Sequence, residues 1–143
     1  VNRTVIGRPV IAGSAEGIAL VSAEPLSFWG GYDPTTGEII DRRHDRSGAV
    51  ARGRVLVFPR GRGSSTSSAI LLESLRNGTA PAAVINLATD PILALGAIVA
   101  HEFYRISMPI VVLSEEDFFT IRDGDHLTID GDGVVSIERP TPR

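Results

Sequence analysis

Between Arg60 and Glu73 the chain reads Arg-Gly-Arg-Gly-Ser-Ser-Thr-Ser-Ser-Ala-Ile-Leu-Leu-Glu, which gathers arginine charge, glycine and hydroxyl groups in one place. Serine hydroxyls can donate hydrogen bonds to a ligand, or one of them can serve as a base or nucleophile. A serine is a poor base unless its alkoxide is stabilised, and clustered backbone N–H groups with Arg60 and Arg62 nearby would do that. The same serines also read as helix caps and exposed polar residues of a first helical turn.

The elements on either side decide what the cluster can become. Val55-Leu56-Val57-Phe58-Pro59 is a short, partly β-branched apolar run that predicts a buried strand ended by Pro59. Ser64 or Ser65 can cap a following helix that carries Ile70, Leu71, Leu72 and Leu75, with Asn77-Gly78 as its stop. A strand, a glycine-rich loop and a helix in that order aim unpaired N–H groups and the positive end of a helix dipole at one small volume, where an anion is stabilised.

Upstream, Val5 to Ala12 and Ile18 to Ser22 read as two strands of a hairpin around Gly13-Ser14-Ala15-Glu16-Gly17. Glu24 to Gly37 is an aperiodic stretch carrying Phe28, Trp29 and Tyr32, either a binding loop or a plug for the core. Asp33-Pro34 begins a turn, Glu38 to Asp41 suggests a short strand, and His44 lies in the charged run Arg42 to Arg46, the pattern of solvated surface. Downstream, Ala82 to Leu87 and Ile110 to Leu113 predict two more buried strands. Between them Thr89 or Asp90 caps a helix with Pro91 at its first position; Ile92 to Phe103 is apolar nearly all round, so burial on more than one side is expected. Ser114 begins a short helical turn, His126 to Ile129 and Val134 to Ile137 form a hairpin, and the tail Arg139 to Arg143 frays. The fold class is therefore α/β, with three parallel-type strands, two helices and terminal β-hairpins.

A chain of 143 residues suggests one domain, and a net charge of −3 argues against a nucleic-acid partner. There is no cysteine, hence no thiolate for an iron–sulfur cluster or zinc, and His44, His101 and His126 show no metal-ligand spacing. All 14 basic residues are arginine, which excludes a Schiff-base mechanism by this chain. The start shows no signal pattern and the longest apolar run, Pro91 to Ala100, is too short to span a bilayer, so a cytoplasmic protein without membrane contact is expected.

Taken in order, Ala15-Glu16-Gly17, Ser27 to Asp33 with Gly37, Asp41 and His44, Val55 to Ser65, Ala80 to Ala83, and Gly96 to Ala100 resemble the small, swivel-domain subunit of the aconitase X family over nearly the whole chain. The resemblance implies that residues 1–143 form a single swivelling β/β/α domain. It also implies that this domain closes over a large subunit holding an iron–sulfur cluster. The central loop is also similar to the Gly-x-Gly-Ser-Ser-Arg segment of the aconitase swivel domain. On that comparison Ser64 falls on the serine base and Ser65 on the second serine. Thr66 stands where that motif has a carboxylate-binding arginine, a job left to Arg60, Arg62 or the partner chain, with Gly63 and Ser65 beside them. The chemistry implied is dehydration of a hydroxy acid. The partner's iron acts as Lewis acid on the leaving hydroxyl and Ser64 takes the proton from the neighbouring carbon. The family's substrates are cis-3-hydroxy-L-proline, in bacterial members, and mevalonate 5-phosphate, in archaeal ones. The Ser64-Ser65-Thr66 start to the helix and the all-arginine usage lean to the first.

The C-terminal half is also similar to the mobile phosphohistidine domain of phosphoenolpyruvate-utilising enzymes, which shares the swivelling fold. The position of the phosphorylated histidine is Leu95 here and His101 lies two turns into the helix, so a phosphocarrier role is set aside. A non-catalytic anion-binding module remains as the alternative from another class.

Overall fold

The computed structural model describes residues 2–141. In chain order it contains β1 (Asn2–Ile6), β2 (Arg8–Ile11), β3 (Ala15–Val21), the single turn α1 (Phe28–Gly31), β4 (Val55–Val57), α2 (Ser67–Asn77), β5 (Ala83–Asn86), α3 (Pro91–Tyr104), β6 (Ile110–Val112), the short α4 (Glu115–Phe118), β7 (His126–Ile129) and β8 (Val134–Glu138). The strands lie in the order β1-β8-β7-β3-β4-β5-β6-β2. β3, β4, β5 and β6 run parallel, and β7, β8, β1 and β2 pair antiparallel.

Two corners bend this sheet into a nearly closed barrel. β3 pairs with β7 through Ala15 to Ile18 and with β4 through Ala19 to Val21, so one strand serves two walls. At the other corner β1 and β2 are separated only by Gly7, yet β1 pairs with β8 and β2 with β6. Gly7 is required there, because a Cβ would run into Val111 and Leu113. The N-terminal hairpin expected from local alternation therefore does not form. Strands do stand at both termini, and β7 with β8 makes the C-terminal hairpin.

The parallel strands are buried on both faces, which explains their unbroken apolar runs. Val55, Val57, Ala83, Ile85 and Val111 point into the barrel and meet Leu127, Ile129, Val135 and Ile137. Leu56, Phe58, Val84 and Ile110 point outward under α2 and α3, against Leu71, Leu93 and Ala97. The result is the layered β/β/α arrangement, with α2 closed by Gly78 in the left-handed conformation (φ 73°) and α3 capped by Asp90.

Two surface expectations are corrected by burial. His44 is only 6% exposed: its Nε2 lies 3.2 Å from Ser22 Oγ and its Nδ1 accepts from the Arg46 N–H at 3.1 Å. Ser22 Oγ in turn donates to Asp45 Oδ1 at 2.6 Å, so the charged run is tied to the end of β3. Arg139, expected to fray, makes a two-point contact with Asp125, Nε and Nη2 each at 3.0 Å, and Nη2 also donates to the Thr120 carbonyl. Arg143 lies outside the described residues.

Candidate functional site

The loop after β4 and the loop after β5 meet at the carboxyl ends of the parallel strands, where open α/β sheets place their ligands. Pro59 O accepts from the Leu87 N–H at 2.8 Å, which fixes the two loops to each other. Leu26 lies alongside Gly61 as a parallel bridge, donating to Arg60 O and accepting from the Arg62 N–H, each at 3.2 Å. Gly63 takes the left-handed conformation (φ 98°), and its Cα faces Ser27. From there the chain turns into α2: Ser67 N–H bonds to Ser64 O, Ser68 N–H to Ser65 O, and the Thr66 N–H to Ser64 Oγ at 3.0 Å. Ser64 therefore caps the turn that leads into the helix, while the regular helix begins at Ser67.

The N–H groups of Gly63, Ser64 and Ser65 donate to no acceptor among the described residues. These three successive donors precede an 11-residue helix and are open to an acceptor from outside the domain. Ser64 Oγ accepts from the Thr66 N–H, so charge developing on that oxygen meets that N–H and the helix dipole. Gly61, Arg62, Gly63, Ser64, Ser67, Asp90 and Ile92 line an open depression of about 200 Å³. Its electrostatics are mixed. The Arg62 guanidinium is paired with Asp41 at 3.6 Å, and Asp90 brings a carboxylate whose Oδ1 caps Ile92 and Leu93 at 3.0 and 3.3 Å.

Of the residues singled out in the sequence, Arg62, Gly63 and Ser64 line the depression. Arg60, Ser65 and Thr66 are exposed beside it and contribute backbone: the Arg60 carbonyl to Leu26, the Ser65 carbonyl to Ser68, and the Thr66 N–H to Ser64. Sequence reasoning took Asp90 only as a helix cap and read Asp41 as one marker among many. The signal for Asp90 was its place in Thr89-Asp90-Pro91 directly after a strand. The aromatic stretch divides. Phe28 is buried and stacks on Tyr32 at 4.6 Å, burial raising the Tyr32 hydroxyl pKa, whereas Trp29 is 56% exposed and donates its backbone N–H to Ser67 Oγ.

The model of the family described as aconitase X swivel domain matches residues 4–137. The chain belongs to that family. Among relatives of this aconitase X swivel domain, the cis-3-hydroxy-L-proline dehydratase of Pseudomonas aeruginosa is 50% identical over 111 residues, which is 78% of this chain but only 19% of that protein. The phosphomevalonate dehydratase small subunit of Methanosarcina acetivorans is 38% identical over 94% of this chain and 90% of its own. In the crystal structure of Thermococcus kodakaraensis aconitase X in its holo-form, one chain superposes with a TM-score of 0.85, at 36% identity over 96% of this chain and 99% of that one.

The family implies an iron–sulfur enzyme, and the residues present do not fit a cluster. There is no cysteine. Glu24, His44 and Asp45 bring ligand atoms within 4.8 Å of one another, but both ring nitrogens of His44 already have partners in Ser22 and the Arg46 N–H. That group reads as a staple for the 41–48 turn, which carries Asp41 to Arg62.

Proposed function

We propose that this swivel domain is the small subunit of a two-chain aconitase X-type hydro-lyase that dehydrates a small hydroxy acid, with Ser64 as the base. The observation that carries the reading is the Ser64 loop itself: a serine oxygen held by the Thr66 N–H, beside three free N–H groups and Arg62, at the head of α2. The dehydratase names of the relatives agree with it. The substrate carboxylate binds on the N–H groups of Gly63, Ser64 and Ser65, with Arg62 adding charge. Ser64 Oγ, as the alkoxide, takes the proton from the carbon next to the carbinol carbon. The electron pair left behind forms the carbon–carbon double bond as the C–O bond breaks, and the departing hydroxide takes a proton to leave as water, a departure that the large chain's cluster would assist as Lewis acid. The arginine absent at Thr66 is replaced by Arg60, by Arg62 or by the partner.

The family's cluster belongs on the large chain, since this one offers it no thiolate. An exposed Ser64 also needs that chain to exclude water, so the domain acts as one swivelling unit that closes on its partner and is inactive alone. The preferred substrate is cis-3-hydroxy-L-proline, supported by 50% identity to the Pseudomonas enzyme. Mevalonate 5-phosphate is the second reading, favoured by small subunits 38–41% identical over 92–94% of the chain.

The test is anaerobic dehydration by the chain reconstituted with its large subunit, offered each substrate separately, with Ser64→Ala in parallel. The expected result is turnover of one substrate, a kcat for Ser64→Ala lower by about 10² to 10⁴ and a nearly unchanged KM. A Ser64→Ala complex that turns over within a few-fold of wild type refutes the base. Substrate bound but never dehydrated by the wild-type complex leaves the non-catalytic module instead.

A further inference from the structure

From Pro91 to Ala100, α3 has no charged residue. A helix of that composition belongs in an interior, yet only one side of it is covered within the domain. Leu93, Ala94, Gly96, Ala97 and Ala100 are buried, while Leu95 is 53% and Ile98 47% exposed. Leu95 and Val99 face Ser68, Ala69 and Leu72 of α2 across an open groove of about 210 Å³, with no ionisable side chain in its lining. One turn nearer the N-terminus, Ile92 lines the Ser64 depression. An uncharged strip therefore runs from the mouth of the site along the outer seam of α2 and α3. On the α1 side of that mouth stands the exposed Trp29, whose backbone N–H donates to Ser67 Oγ.

We infer that this α2–α3 strip is a docking face for the large chain, with Leu95 and Val99 as its apolar anchors and Trp29 as a second contact across the site. The inference rests on the small-subunit reading and adds to it where the partner is held. Three observations select this occupant. The strip is continuous with the site that the partner must close. Its lack of charge calls for an apolar protein surface rather than a polyanion. In the Pseudomonas relative the equivalent residues are 19% of a single chain, so this domain has a far larger body to pack against.

The experiment titrates the full chain into the large subunit by calorimetry and compares Leu95→Glu, Val99→Glu and Ile6→Glu, the last an exposed apolar residue on β1. Each glutamate on α3 is expected to weaken binding by about 30-fold or more, the level of an interface hot spot, with an unchanged Tm of the free chain. Ile6→Glu should bind like wild type. If a glutamate lowers the Tm, the pair Leu95→Ser and Val99→Ser carries the same expectation with a milder change. Unchanged affinity of the folded α3 variants overturns the docking face while leaving the small-subunit reading intact. A wild-type chain that does not bind the large subunit overturns both. A self-associated chain that the glutamates dissociate, with large-subunit binding untouched, assigns the strip to a second copy and overturns the proposal.

Discussion

Gly61→Ala tests whether the two loops of the site are locked together through Asp90. A Cβ built on Gly61 falls on the Asp90 carboxylate, meeting Oδ2 and coming within 2.8 Å of Cγ. A clash with the end of a side chain is usually relieved by a rotamer change. Here the carboxylate is pinned, because Oδ1 accepts from the Ile92 and Leu93 N–H groups at the head of α3. Rotating it away gives up a helix cap, about 1 kcal/mol, and shifting Gly61 instead strains the Leu26 bridge at a similar or larger cost. The cheaper route sets the expected destabilisation, about 1 kcal/mol. For a domain of this size, with an unfolding entropy of about 2.1 cal/mol/K per residue, that lowers the Tm by about 3 °C.

Thermal unfolding followed by circular dichroism at fixed pH and salt reads this directly, and Asp90→Ala completes a cycle. Asp90→Ala alone loses the cap, while Gly61→Ala added to it has nothing left to strike. The double variant is therefore expected to unfold within about 1 °C of Asp90→Ala, a coupling of roughly 1 kcal/mol. A Tm for Gly61→Ala within about 1 °C of wild type, or strict additivity of the two changes, would refute the argument that the Asp90 carboxylate is held over Gly61.

Two further outcomes follow from the buried polar groups. Burial raises the Asp125 pKa, but the Arg139 guanidinium and the Arg122 N–H outweigh it and leave the carboxyl below the usual range. A depressed folded pKa contributes stability that is present above the unfolded value, about 3.9, and is lost as pH falls through the folded one. The Tm gap between wild type and Asp125→Asn should therefore be widest near neutral pH and shrink below about pH 4; a gap constant from pH 7 to pH 2.5 contradicts this. His44→Ala strands the Arg46 N–H and one bond of Ser22 Oγ and opens a void, so denaturant midpoints should report a loss of about 2 to 3 kcal/mol at unchanged m-value. A loss under about 0.5 kcal/mol would return His44 to the role of an exposed residue.

What was legible in the sequence was what neighbours along the chain decide. The turn from Ser64 into α2, the Asp90 and Ser114 caps and the Gly78 stop depend on bonds spanning only a few residues, and they stand where local chemistry puts them. The Asp130-Gly131-Asp132-Gly133 turn fixes the β7–β8 hairpin in the same way. The misread features depend on partners far along the chain. His44 is buried by Ser22, 22 residues earlier, and Arg139 is held by Asp125, 14 residues before it. β1 and β2 pair with β8 and β6 because the barrel closes at Gly7, a constraint visible only once Val111 and Leu113 are in place.

The same distinction explains why the loop could be found from its residues but its completeness could not. Apolar periodicity says that Leu95 and Val99 should be covered, without saying by what. In the folded domain they line an open groove that continues from Ile92 at the edge of the Ser64 depression, where the serine's chemistry requires that water be excluded. An apolar helix face left open and a reactive loop left open at the same end of the domain are explained together by one missing surface. The docking face and the dehydratase reading therefore support each other, although the binding and turnover experiments can still fail separately.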